Sequence, residues 1–197
     1  MEPIVAGGSP IRAQEGVDAH LVERLVRSES VYDGHFLKVR RDQVKLPDGQ
    51  LAWREHIVHP GAVMIVPIAD DGQLVVERQH RYPLDHVLLE FPAGKLDPGE
   101  TTLDCARREL LEETGYTARE WRHLATIHTA IAYTNEAIDL FIARKLEKAG
   151  SAQLDAGEFV ETIVVPFDEA IAMVKGGRIT DAKTVAALLW AKLIGVR

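Results

Sequence analysis

One stretch constrains this chain more than any other: Gly94 to Tyr116, which reads GKLDPGETTLDCARRELLEETGY. Its specified positions are Gly94, Glu100, Arg108, Glu109, Glu112, Glu113 and Gly115. At about 6 % per residue type, seven such positions coincide by chance on the order of 10⁻⁹ to 10⁻⁸ times per starting point. Thr102 to Thr114 are mostly good helix formers with no Pro or Gly. Pro98-Gly99 punctuates the chain before them, and Gly115 stands where a left-handed cap belongs. The segment is therefore predicted to be one helix of about three turns.

On that helix Leu103, Ala106 and Leu110 share a face that can pack. Glu109, Glu112 and Glu113 fall at i, i+3 and i+4 on a neighbouring face within roughly 100°. Like charges at this spacing oppose a helix by only about 0.2 to 0.5 kcal/mol per pair, so a solvated acidic face satisfies the charge pattern taken alone. Hard oxygen ligands converging from one turn also suit Mg²⁺ or Mn²⁺, ions that bind phosphate oxygens while keeping some of their water. Cys105, the only cysteine, lies one turn before Glu109 and reads as a small packed side chain.

With 197 residues, 46 % of them hydrophobic, the chain is long enough for one ample core and a small accessory unit. Its formal net charge of −7 argues against nucleic acid or an anionic membrane as partner, both of which are gripped by surplus Lys and Arg. A small anionic substrate held through a metal stays compatible with that charge. No apolar run approaches the roughly 18 to 20 residues of a membrane span, and no signal-peptide core opens the chain. A lone cysteine fits a reducing compartment, so a cytoplasmic protein is expected. No H-E-x-x-H pattern occurs, and zinc is not expected.

Residues 1–19, with Gly7-Gly8-Ser9-Pro10, read as a flexible tail. Residues 20–59 carry three extended segments separated by Asp33-Gly34 and Pro47-Asp48-Gly49, a small antiparallel sheet ahead of a main domain at 60–197. In that domain Ala62 to Ile68 reads as a strand buried on both faces, followed by Leu74 to Arg78 and Val87 to Phe91. After the helix come strands at Trp121 to Thr129, Ala137 to Ala143 and Glu161 to Val165. Helices are expected from Phe167 to Lys175 and from a Thr180 or Asp181 cap through Leu193. Mixed strands with a central helix and terminal helices predict an α/β fold, a mixed sheet sandwiched by helices.

The array Gly, five residues, Glu, seven residues, Arg-Glu-Leu, one residue, Glu-Glu, one residue, Gly resembles the signature box of the Nudix hydrolases. Their fold is an α/β/α sandwich, and they hydrolyse a nucleoside diphosphate linked to another group. His59-Pro60-Gly61-Ala62, Arg81-Tyr82-Pro83, Glu90-Phe91-Pro92-Ala93-Gly94 and Gly157-Glu158-Phe159-Val160-Glu161 are similar to the ADP-ribose pyrophosphatase branch. That branch forms homodimers in which the N-terminal sheet reaches the partner. One departure stands out: Ala130-Ile131-Ala132 occupies a loop where the branch often has Ser-Pro-Gly.

The resemblance implies metal, Mg²⁺ or alternatively Mn²⁺, on the Ala93 carbonyl and on Glu109, Glu112 and Glu113. It implies substrate contacts at Trp53, Arg81 and Glu90, with Trp53 stacking on adenine. Trp53 as a strand aromatic and Arg81 as a solvated loop charge are the plainer alternatives. Arg108 reads as a structural partner of nearby carboxylates such as Glu100. In the resembling branch a loop glutamate orients or deprotonates the attacking water. Glu158 is the first candidate for that role, with Glu161 and Glu112 behind it. The expected reaction is metal-dependent hydrolysis of ADP-ribose to AMP and ribose 5-phosphate. Another nucleoside diphosphate sugar such as GDP-mannose, a dinucleotide, or a non-hydrolytic ADP-ribose sensor are the alternatives.

Overall fold

Strand β4 (Ala62–Ile68) is buried at every position, and its alternation divides the interior in two. Met64, Val66 and Ile68 point to one face of the sheet and Val63 and Ile65 to the other, because successive strand side chains alternate. The computed structural model describes residues 16–196; residues 1–15 of the expected tail lie outside the described residues.

The chain forms two compact units. One runs through His59 and takes in Ala130–Glu136. It holds a three-stranded antiparallel sheet of β1 (Arg24–Asp33), β2 (Lys38–Lys45) and β3 (Leu51–Ile57) in that order. Ala130–Glu136 joins it through Ile57 N–H, which donates to the Tyr133 carbonyl at 2.7 Å, and His59 N–H, which donates to Asn135 Oδ1 at 2.7 Å.

The other unit comprises Pro60–Thr129 and the chain from Ala137 on. Its mixed sheet has seven strands: β4, β5 (Gln73–Arg81), β6 (His86–Glu90), β7 (Ala93–Lys95), β8 (Tyr116–His128), β9 (Ala137–Lys148) and β10 (Val160–Pro166). The main path runs β10-β5-β4-β9-β8, with β6 paired to β5 and β7 to β4. Only β4 and β9 run parallel, Ala62 opposite Ile138 through Ile68 opposite Arg144.

Helix α1 (Thr102–Thr114) covers the Val63 and Ile65 face through Cys105, Ala106 and Leu110. Helices α2 (Phe167–Lys175) and α3 (Ala182–Leu193) belong to the core on the Met64 face, through Phe167, Ala170, Leu188 and Ala191. The result is the expected α/β/α sandwich. Each fully buried Leu, Ile or Val contributes about 1.5 to 3 kcal/mol, so β4 stabilises both cores at once. No helix among the described residues is long and apolar enough to cross a membrane.

The helices sit where the sequence predicts them, and Asp181 is the α3 cap, accepting from Thr184 N–H at 2.9 Å. Several strands differ from expectation. β5 runs on to Arg81 because His80 and Arg81 pair with Val87 and His86 across a 3₁₀ turn at Tyr82–Leu84. β8 begins at Tyr116 and β9 continues to Lys148, since their antiparallel pairing continues to Tyr116 opposite Lys148. β7 is a strand the sequence did not announce, its Ala93, Gly94 and Lys95 paired to Met64, Val63 and Ala62.

Candidate active site

Helix α1 is built to present its carboxylates from a fixed frame. Thr101 caps it by accepting from Asp104 N–H at 3.2 Å. Gly115 closes it at φ 69°, its N–H donating to the Leu111 carbonyl at 2.8 Å. A Cβ at Gly115 would stand 2.4 Å from the Gly150 carbonyl oxygen, so only glycine fits both the conformation and the space.

Of the three expected metal carboxylates, Glu109 and Glu113 are buried and Glu112 is half-buried. The backbone N–H of Ala93 donates to Glu113 Oε2 at 2.9 Å. Glu109 lies against Gly94, where a Cβ would sit 1.8 Å from its Oε1. The start of β7 and one face of α1 are therefore in close contact at Ala93 and Gly94.

Arg108 gathers the outer carboxylates. Its Nε and Nη2 donate to the two Glu100 oxygens, each at 2.9 Å, and Nη1 donates to Glu109 Oε1 at 2.7 Å and Glu112 Oε2 at 3.1 Å. The Arg108 hydrogen bonds hold Glu100 down to about 2, and the Arg108 guanidinium is itself raised, first by Glu100. Arg108 is thus the structural ion-pair partner that the sequence suggests. Cys105 is fully buried as expected, and burial pushes its thiol up to about 12, which removes it as a nucleophile at neutral pH.

Arg81 and Glu90 meet in a two-pronged ion pair, Nε to Oε1 at 2.7 Å and Nη2 to Oε2 at 2.9 Å. Lys183, from α3, also donates to Glu90 Oε2 and forms a 2.9 Å ion pair with Asp181. Burial pushes the Glu90 carboxyl up, but the Arg81 hydrogen bonds and the Lys183 charge outweigh it and leave it below its ordinary value. Arg81 is no solvated loop charge, since it ends a strand with its fork occupied by Glu90. Trp53 is 42 % exposed on β3, with the Arg27 and Arg41 guanidinium carbons 4.8 and 5.2 Å from its ring centre. It is an exposed strand aromatic bracketed by cations.

The two loop glutamates part company. Glu158 is exposed, its N–H donating to the Asp155 carbonyl at 3.0 Å, and its charge acts on Glu77, Glu109 and Glu113. Glu161 is paired with Arg78 on β5, both in register and as an ion pair. Thr162 points to the α1 face, where its hydroxyl reaches the Glu113 carbonyl at 3.5 Å, so Glu161 points to the opposite face. The structure does not bring Glu161 to the carboxylates of α1.

Sequence reasoning missed Glu77 and Lys183. Glu77 is 3 % exposed on β5, and burial, followed by the Glu90 charge, raises its carboxyl far above the ordinary value. Glu113 is raised likewise, first by burial and then by Glu77, and Glu109 is raised chiefly by burial. The available signal for Glu77 was its place directly after Leu74-Val75-Val76 in a doubly buried strand. Lys183 carries no signal beyond following the α3 cap.

Among the described residues no three His, Cys, Asp or Glu side chains converge closely enough to enclose an ion as they stand. The donor chemistry nonetheless fits a hard divalent cation. Glu77, Glu109 and Glu113 are buried carboxylates, the charges of Glu77 and Glu109 raise Glu113, and Glu77 Oε1 is buried with no hydrogen-bond partner. A divalent cation supplies the counter-charge such a group lacks.

Comparison with known proteins bears on the same elements. The NUDIX domain family matches residues 58–188, and the nucleoside diphosphate sugar hydrolase N-terminal domain family matches residues 23–57. A methanol dehydrogenase activator of Bacillus methanolicus is 39 % identical over 172 residues, covering 87 % of this chain and 93 % of that protein. An ADP-ribose pyrophosphatase of Bacillus subtilis (strain 168) is 34 % identical over 174 residues, covering 88 % and 94 %. A crystal structure of an ADP compounds hydrolase superposes with a TM-score of 0.77 at 26 % identity, over 89 % of this chain and 97 % of that one. With the helix box, the sandwich around it and these relatives in agreement, the chain belongs to the Nudix family and is a hydrolase of its pyrophosphatase type.

Proposed function

We propose that the protein hydrolyses the diphosphate of ADP-ribose, releasing AMP and ribose 5-phosphate, in a reaction that depends on Mg²⁺ or Mn²⁺. The observation that carries this reading is the buried carboxylate group of Glu109 and Glu113 set against Ala93 and Gly94. The likeness to the Bacillus subtilis ADP-ribose pyrophosphatase supports the choice of substrate.

Glu109, Glu112 and Glu113, with the Ala93 carbonyl, would hold the cation. When bound, it supplies counter-charge to the diphosphate and lowers the pKa of water. Arg81 meets the diphosphate and ribose side of the substrate, and Glu90, a further substrate-binding residue, holds its fork in position. Trp53 stacks on the adenine, a contact worth about 1 to 3 kcal/mol by analogy with base stacking in single-strand binders. Glu158 accepts the proton of the attacking water. One water is consumed and one P–O bond of the diphosphate breaks, leaving a phosphate on each product.

Residues 20–59 serve as the dimerisation and substrate unit and residues 60–197 as the hydrolytic domain, with a homodimer in the cytoplasm as the working form. The test is a product count after incubation with Mg²⁺ and a panel of ADP-ribose, GDP-mannose and a dinucleotide. ADP-ribose should be cleaved with the highest kcat/KM, and addition of chelator should abolish turnover. Preference for another member of the panel would overturn the substrate and leave the hydrolase. Binding of ADP-ribose without cleavage would make the protein a sensor.

A further inference from the structure

We propose that Glu77 is a further carboxylate of the divalent-cation site, brought by β5 to the sheet face that carries α1, with its buried Oε1 lacking a hydrogen-bond partner. This inference rests on the metal-dependent reading above.

Strand alternation fixes the face. Leu74 and Val76 belong to the core on the Met64 side, so Val75 and Glu77 point toward α1. Register agrees with this. Glu77 stands opposite Thr162 on β10, whose hydroxyl reaches the Glu113 carbonyl, and opposite Glu90 on β6. The Glu77 charge acts on Glu113, and Glu90, Glu158 and Glu109 make the field around Glu77 negative, with Arg81 opposing them in part.

Packing alone does not call for a carboxylate here. The residue is 3 % exposed in a strand whose preceding Leu74, Val75 and Val76 are all buried, and another Val would continue that run. The Oε1 oxygen has no hydrogen-bond partner, whereas buried polar atoms ordinarily have one. The neighbouring cations are committed elsewhere. Arg81 gives both Nε and Nη2 to Glu90, and Lys183 is shared between Glu90 and Asp181. What remains is a buried acidic oxygen on the sheet face that carries α1, which makes no hydrogen bond and whose charge Arg81 offsets only in part, the donor that a hard divalent cation accepts.

The experiment uses the full chain as wild type, Glu77→Gln, Glu77→Val and Glu113→Gln. Free Mn²⁺ is followed by electron paramagnetic resonance during titration, and thermal unfolding is recorded in EDTA and in excess Mn²⁺. Glu77→Gln should weaken Mn²⁺ binding by about 10-fold or more, within the range seen when a metal site's supporting groups are removed. Both Glu77 variants should melt in EDTA at or above the wild-type temperature, and should gain less from Mn²⁺ than wild type does. Wild-type Mn²⁺ affinity in both Glu77 variants would overturn the inference, as would a lower melting temperature in EDTA with unchanged affinity, the sign of a purely structural residue. If Glu113→Gln loses Mn²⁺ while the Glu77 variants keep it, the metal-dependent reading stands and only this inference falls. A wild-type chain that takes up no Mn²⁺ overturns both.

Discussion

Glu158 and Glu161 stand three residues apart, yet the strand between them assigns them different chemistry. Glu158 precedes β10 and lies in the field of the α1 carboxylates, while Glu161 is turned to the other face and tied to Arg78. Glu158→Gln should therefore lower kcat about 10² to 10⁴-fold, the usual range for a general base, with Mn²⁺ affinity nearly intact. Glu161→Gln should leave kcat within a few-fold of wild type in the same steady-state assay. Gly94 permits a sharper test. A methyl group there would overlap Glu109 Oε1, so Gly94→Ala must displace that carboxylate. Loss of kcat/KM by about 10-fold or more, together with weaker Mn²⁺ binding, is expected if Glu109 is a ligand, by the scale of perturbed metal sites. At this scale the sequence was legible where residues are local to one another. Glu109, Glu112 and Glu113 share a helical turn, and Arg108 with Glu100 spans only eight positions. Lys183 was not legible and Glu77 only through the buried run before it, because their partners Glu90 and Glu113 come from elsewhere in the chain.

The elements were readable in proportion to how fully their signals are local. Helix α1 starts and ends where its residues predict, since the helix formers and the left-handed glycine are contiguous. Strand ends were less readable. The last residues of β5, Gln79, His80 and Arg81, are polar, and pairing to β6, with Val160 of β10 also opposite Gln79, makes them strand. The same holds for the ends of β8 and β9, where backbone pairing continues beyond the apolar run. The helix cap offers an element-scale prediction. Gly115→Ala forces a side chain into left-handed backbone and against the Gly150 carbonyl, and should destabilise the protein by about 1 to 3 kcal/mol. For a chain of this length that lowers the melting temperature by about 2 to 4 °C per kcal/mol. Thermal unfolding followed by circular dichroism measures it, and an unchanged melting temperature would mean that the α1 cap contributes nothing.

For the whole molecule, the buried carboxyls set how stability responds to pH. Glu77 and Glu113 carry an ordinary value of 4.5 and are raised in the folded chain, to about 8 and about 9. The folded state therefore holds more protons than the unfolded one across that interval, and stability must fall as pH rises through it. The metal-free melting temperature should decline between pH 6 and pH 9, and excess Mg²⁺ should flatten the decline. A metal-free melting temperature that rises over the same interval would show that these carboxyls are not raised. The pairing of β4 with β9 has a consequence of another kind. Ala62 meets Ile138, and all of β5 to β8 with α1 lies between them in the chain. Closing so long a loop slows folding, because its entropy is lost before the strand contacts are gained. During synthesis β4 leaves the ribosome well before its parallel partner does. Until β9 arrives, one edge of a wholly apolar strand stays open to water, and that interval is when a nascent chain of this protein is most exposed to aggregation.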